Sequence, residues 1–207
     1  MAEKTRTSRP EPADAGLSRR ALIGAVGVTA TAALAGCSSG GGESTPATTP
    51  SPVDLSGGKQ DDVGGMVIGE HFGPNGQIFY RDHSPRGHDN PAWFMSLTAG
   101  FFPYSFRHAD EGWTAAATYV TDYSAVDYEL TTVNGTAYIS SHTPADSFGS
   151  ADQLTYVAGS EVRGGMGKTL VPFSDSGDAD SFVSDHGGRR VSFSDVTPKW
   201  LDQYVRD

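Results

Sequence analysis

Two methionines follow glycine pairs, in Gly64-Gly65-Met66 and Gly164-Gly165-Met166. Methionine usually fills gaps in a core, because its thioether is flexible and apolar. The flanking glycines remove side-chain bulk, so here the sulfur can project into a site. A thioether is a soft donor, and soft donors suit monovalent copper. His71 lies five residues past Met66 and carries a compatible imidazole, which reaches the same place if the chain turns there. The other histidines are His83, His88, His108, His142 and His186, and their spacing matches no metal motif.

Other chemistries find no support. Arg163-Gly164-Gly165-Met166-Gly167-Lys168-Thr169 looks like a phosphate loop. Such a loop must open a helix, whose N-terminus holds the phosphates. Pro172 follows within Leu170-Val171-Pro172-Phe173, so the segment reads as strand, and nucleotide is excluded as a partner. No nucleophile elbow and no His-Glu-x-x-His helix occurs, and no cysteine is left for catalysis, so an enzyme is not expected.

The single cysteine, Cys37, ends Leu34-Ala35-Gly36-Cys37. Before it come Ser18-Arg19-Arg20 and an uncharged run of 15 residues, 21–35. A basic head, a short apolar run and a small-residue box make a secretory signal. The paired arginines indicate the twin-arginine route. A cysteine after Leu-Ala-Gly resembles the lipobox, whose thiol receives lipid. The run falls short of the roughly 20 apolar residues of a spanning helix. Residues 1–36 are therefore expected to be a signal peptide. Cys37 would tether the remainder to the outside of the cell membrane, with two acyl chains needed for stable attachment.

Removing residues 1–36 leaves ten basic against twenty-two acidic side chains. A surface this acidic excludes nucleic acid, whose phosphates need a basic patch. It suits solubility in high salt, as in a halophile, or simply a well-solvated surface. Residues 37–58 are Gly, Ser, Thr and Pro with few apolar side chains, and are expected to be a linker.

The folded part then runs from 59 to 207. Asn134-Gly135 between two β-favouring runs predicts a hairpin over 129–140, because both residues tolerate positive φ. Further strands are predicted at 77–80, 113–121, 154–158, 168–173 and 190–193 from their aromatic and β-branched content. A helix is predicted over 178–186, ending at Gly187-Gly188, and a weaker one over 96–102, cut by Pro103. The two halves, 59–127 and 128–207, share this outline. The fold class is α+β with two small lobes.

Tyr156-Val157-Ala158-Gly159-Ser160, Gly164-Gly165-Met166-Gly167-Lys168, Val171-Pro172-Phe173-Ser174-Asp175, Asp178-Ala179, Phe182 and His186-Gly187-Gly188 resemble the NosL family. These are lipid-anchored accessory proteins of nitrous oxide reductase. The resemblance covers nearly all of 59–200, and an acidic, twin-arginine-exported member fits a haloarchaeal source. It implies two ββαβ lobes, similar to part of organomercurial lyase. It implies binding of copper(I) and delivery to the reductase or its maturation machinery. The family's copper site combines a C-x-x-C-G-M segment with the methionine of a later G-x-M-G turn, and those methionines fall on Met66 and Met166. Here Asp61 and Gly64 stand where the two cysteines would be. Three outcomes follow from that departure. Copper binds more weakly through Met66 and Met166, completed by His71 or Asp61. Or metal binding is lost and a docking lipoprotein remains. Or the ligands lie elsewhere. A solute-binding lipoprotein with an apolar cleft of Trp93, Phe94, Phe101 and Phe102 is the remaining alternative.

Overall fold

The computed structural model describes residues 48–207. The signal peptide, Cys37 and the first part of the expected linker lie outside the described residues. Among the described residues, no helix is long and apolar enough to cross a membrane.

Strands β1 (Gly76–Tyr80), β2 (Ala92–Phe94) and β3 (Ala115–Thr121) pair antiparallel with β1 in the middle, and α1 (Phe102–Asp110) joins β2 to β3. The hairpin of β4 (Leu130–Val133) and β5 (Thr136–Ile139) follows. Next comes the short β6 (Phe148–Ser150), which pairs with β3. The second half repeats the first. Strand β7 (Thr155–Gly164) lies between β8 (Gly167–Phe173) and β9 (Arg189–Ser192), and α2 (Ser176–His186) joins the last two. Helix α3 (Pro198–Arg206) closes the chain. The architecture is α+β with two ββαβ units, as expected.

Alternation along the strands explains the core. Tyr156, Ala158 and Leu170 face one cluster, together with Ile78, Phe94, Phe101, Phe102, Val191 and Leu201. Their neighbours Val157, Val171 and Phe173 face the opposite way and meet Ala179 and Phe182 of α2. The middle of β7 and of β8 is thus covered on both faces, which is why Tyr156-Val157-Ala158 and Leu170-Val171-Pro172-Phe173 read as continuous apolar runs. The larger cluster draws on both halves, and β6 belongs to the first sheet. The packing therefore does not divide at residue 127.

The local signals fare unevenly. Asn134 and Gly135 both take positive φ, 49° and 81°, as a two-residue hairpin turn requires. Pro103 does not cut a helix but sits in the first turn of α1, where a missing N–H costs nothing. Ahead of it, Leu97–Phe101 form a wide turn, not an ordinary helix: the Phe101 N–H donates to the Ser96 carbonyl at 2.9 Å. Such i→i+5 turns recur at functional sites. Strand β7 runs on past 158 because Gly159, at φ 77°, lets it bend. Helix α3 was not expected. Its signals are Thr197, whose hydroxyl accepts the Trp200 N–H at 3.2 Å, and Pro198 at the start.

The end of the expected linker is part of the body. Leu55 is fully buried, and its N–H donates to the Thr143 carbonyl at 2.8 Å. The buried Gln77 side chain exchanges two hydrogen bonds with the Val53 backbone, at 2.8 and 3.0 Å. The Tyr119 hydroxyl donates to the Pro50 carbonyl at 2.7 Å. Polar linker composition is overridden here by two apolar side chains, Val53 and Leu55, which find a third cluster with Ile68, Met95 and Phe148.

Candidate metal site

The site begins with Asp61, which is only 6 % exposed. Its Oδ1 accepts the N–H groups of Val63 at 2.9 Å and Gly64 at 2.6 Å, folding residues 61–66 into a tight loop. The loop is closed by the Asp61 N–H donating to the Met66 carbonyl at 2.9 Å, and by the Gly65 N–H donating to the Asp61 carbonyl at 2.8 Å. The other oxygen, Oδ2, accepts the Met95 N–H at 2.8 Å. One carboxylate therefore ties the loop bearing Met66 to the segment bearing Met95. Hydrogen bonds of this charge-assisted kind are about twice as strong as neutral ones.

Met166 is carried by the turn between β7 and β8. The Gly165 N–H donates to the Phe72 carbonyl at 2.6 Å. A Cβ on Gly165 would stand 2.9 Å from that same oxygen and 3.1 Å from the His71 Cβ. A Cβ on Gly73 would stand 3.0 Å from the Gly164 Cα. The glycines before Met166 thus serve close approach of two backbones, more than release of the methionine side chain. A third tie joins the wide turn to β8, where the Thr98 hydroxyl donates to the Lys168 carbonyl at 2.8 Å.

Met66, Met95 and Met166 line one cavity of about 250 Å³, with Val63 and Asp61. Met95 is 4 % exposed, whereas Met166 at 52 % and Val63 at 54 % are open to solvent. Asp61 is the only ionisable residue in the lining. The arrangement offers soft sulfur in apolar surroundings beside one carboxylate. That suits a soft monovalent cation better than a hard divalent one.

The structure thus brings Met66, Met166 and Asp61 together. It does not bring His71 into the lining: that side chain is exposed beside the turn of Met166. The other histidines have partners elsewhere. His88 Nε2 lies 3.0 Å from Asp62 Oδ1, and its ring stacks on Trp93 at 3.9 Å. His108 is buried against Tyr104, His83 stacks on Trp113, and His142 bonds Ser140. Half-burial lowers the pKa of His142 below the usual imidazole value. Among the described residues, no three His, Cys, Asp or Glu side chains cluster so that they could hold a metal ion by themselves. Met95 was missed in the sequence, since it lacks a glycine neighbour and reads as core filler.

Phe94, Phe101 and Phe102 are buried in the main core, and Trp93 packs with His88. The Gly-Lys-Thr string enters strand β8, and Lys168 Nζ donates to the Tyr204 carbonyl at 3.2 Å.

The family model of NosL matches residues 52–201. Among solved structures, the chain is similar to the copper chaperone NosL from Shewanella denitrificans, with a TM-score of 0.52 and 22 % identity over 70 % of this chain and 94 % of that one. At that identity the likeness is one of fold. No curated protein sequence matches the chain.

Proposed function

The chain belongs to the NosL family, and on that premise we propose that it is a copper(I)-binding chaperone, not an enzyme. Its cargo sits among Met66, Met166 and the neighbouring side chains, and is passed to nitrous oxide reductase or its maturation machinery. A lipid on Cys37 holds it outside the cell membrane. The observation that carries this reading is convergence. Two methionines from separate halves of the chain line one cavity, although both cysteines of the family segment are replaced. Thioether ligation without thiolate binds loosely, and loose binding suits a donor that must release its cargo.

The test is titration of the intact chain with cuprous ion against a competing chelator. One ion per chain is expected, and the double variant Met66→Leu with Met166→Leu loses it. If the double variant competes as well as the parent, the copper assignment is wrong. A docking protein without metal is the second reading, favoured by the exposed Val63 and Met166 at the cavity mouth. It predicts no stoichiometric uptake, with a membrane partner still recovered by the double variant.

A further inference from the structure

We propose that Met95 is the third sulfur ligand, so that the cavity is a thiol-free, three-thioether site selective for monovalent copper. The inference rests on the copper reading above and adds a ligand that neither the motif nor the family resemblance assigns.

Three observations carry it. First, every methionine among the described residues, Met66, Met95 and Met166, lines the same cavity. Methionines used only as filler would be spread over the three apolar clusters. Instead the two larger clusters contain none. Second, hydrogen bonds link the segment bearing Met66 to the one bearing Met95, and that one to the segment bearing Met166, whose turn is also held against Phe72. Asp61 Oδ2 accepts the Met95 N–H at 2.8 Å, the Thr98 hydroxyl donates to the Lys168 carbonyl at 2.8 Å, and the Gly165 N–H donates to the Phe72 carbonyl at 2.6 Å. A site whose ligand-bearing segments are fixed by outer hydrogen bonds is pre-ordered for its ion. Third, the charge matches. Asp61 is the only ionisable group in the lining. A monovalent ion leaves the site neutral, whereas a divalent ion would leave one uncompensated charge in apolar surroundings. Asp61 is then a positioning residue: its oxygens are engaged by three backbone amides.

Packing alone would also place Met95 beside Leu55, Ile68 and Phe148. Packing needs its volume but not its sulfur, and Met95→Leu separates the two because it conserves volume. The experiment uses the intact chain with Cys37→Ser, so that an unmodified thiol contributes no sulfur. Copper X-ray absorption counts the sulfur neighbours of bound cuprous ion, and chelator competition gives its affinity.

Three sulfurs are expected in the parent and two in Met95→Leu, with an unchanged melting temperature. Affinity is expected to fall at least about tenfold, since loss of even an outer-shell partner typically costs 10–100-fold. An excess of zinc(II) is expected not to displace the cuprous ion. An unchanged sulfur count and affinity in Met95→Leu would overturn the inference while leaving the copper reading intact, provided that Met66→Leu weakens binding. Displacement by zinc(II) overturns the thioether site. Failure of the parent to take up cuprous ion overturns both.

Discussion

Asp61 shows how one replacement changes what a position does. Where the resemblance places a cysteine, this chain has a buried carboxylate that bonds three amides. Asp61→Asn tests that role. The amide oxygen can still accept from Val63 and Gly64, but the amide nitrogen then faces the Met95 N–H, donor against donor. Stability is expected to fall by about 1–3 kcal/mol in urea unfolding, the usual cost of a buried donor left unpaired. A fall within error would show that the loop holds itself. His71 makes the opposite case. It lies only five residues from Met66 in sequence, yet the residue is exposed and stands outside the lining.

Among the elements, the turn between β7 and β8 is the most constrained part of the site. Gly165→Ala would drive a methyl against the Phe72 carbonyl, where backbone cannot yield cheaply. A loss of about 1–3 kcal/mol is expected, as for other overpacked positions. Weaker cuprous binding should accompany it, because Met166 moves with the turn. Normal stability and binding in that variant would show that the close approach is dispensable.

The same elements show what could be read from the chain. The hairpin at Asn134-Gly135 was legible because a two-residue turn is decided by its own residues. The Met66 and Met166 segments were legible because glycine pairs are conspicuous. Helix α1 was misplaced because Pro103 breaks a helix or opens one depending on where the preceding turn ends, and the wide turn at Leu97–Phe101 is held by tertiary packing. Met95 was hidden because the environment of a buried methionine is set by residues distant in sequence. Val53 and Leu55 were hidden because two alternating apolar positions are too few to form a pattern, and their partner is a side-chain amide, Gln77.

At the scale of the molecule, two ββαβ units share one large core, while the third cluster joins the incoming chain to the cavity wall. Leu55, Met95 and Met66 pack together there. Leu55→Ala is therefore expected to cost about 2–5 kcal/mol, the range for a buried leucine. Thermal unfolding of the intact chain checks this, and a shift near zero would return residues 50–58 to the status of linker. The docking of Pro50 also shortens the leash. If lipid holds Cys37, the chain up to Pro50 can span at most about 45 Å, against about 70 Å had it been free to Gly58. The leash is also moored at the cluster beneath the sulfur cavity, not at some remote edge. A recipient fixed in the same bilayer would meet the loaded cavity at the high local concentration that a short connection enforces. One drifting free in solution would have to come to the lipid surface to collect its metal.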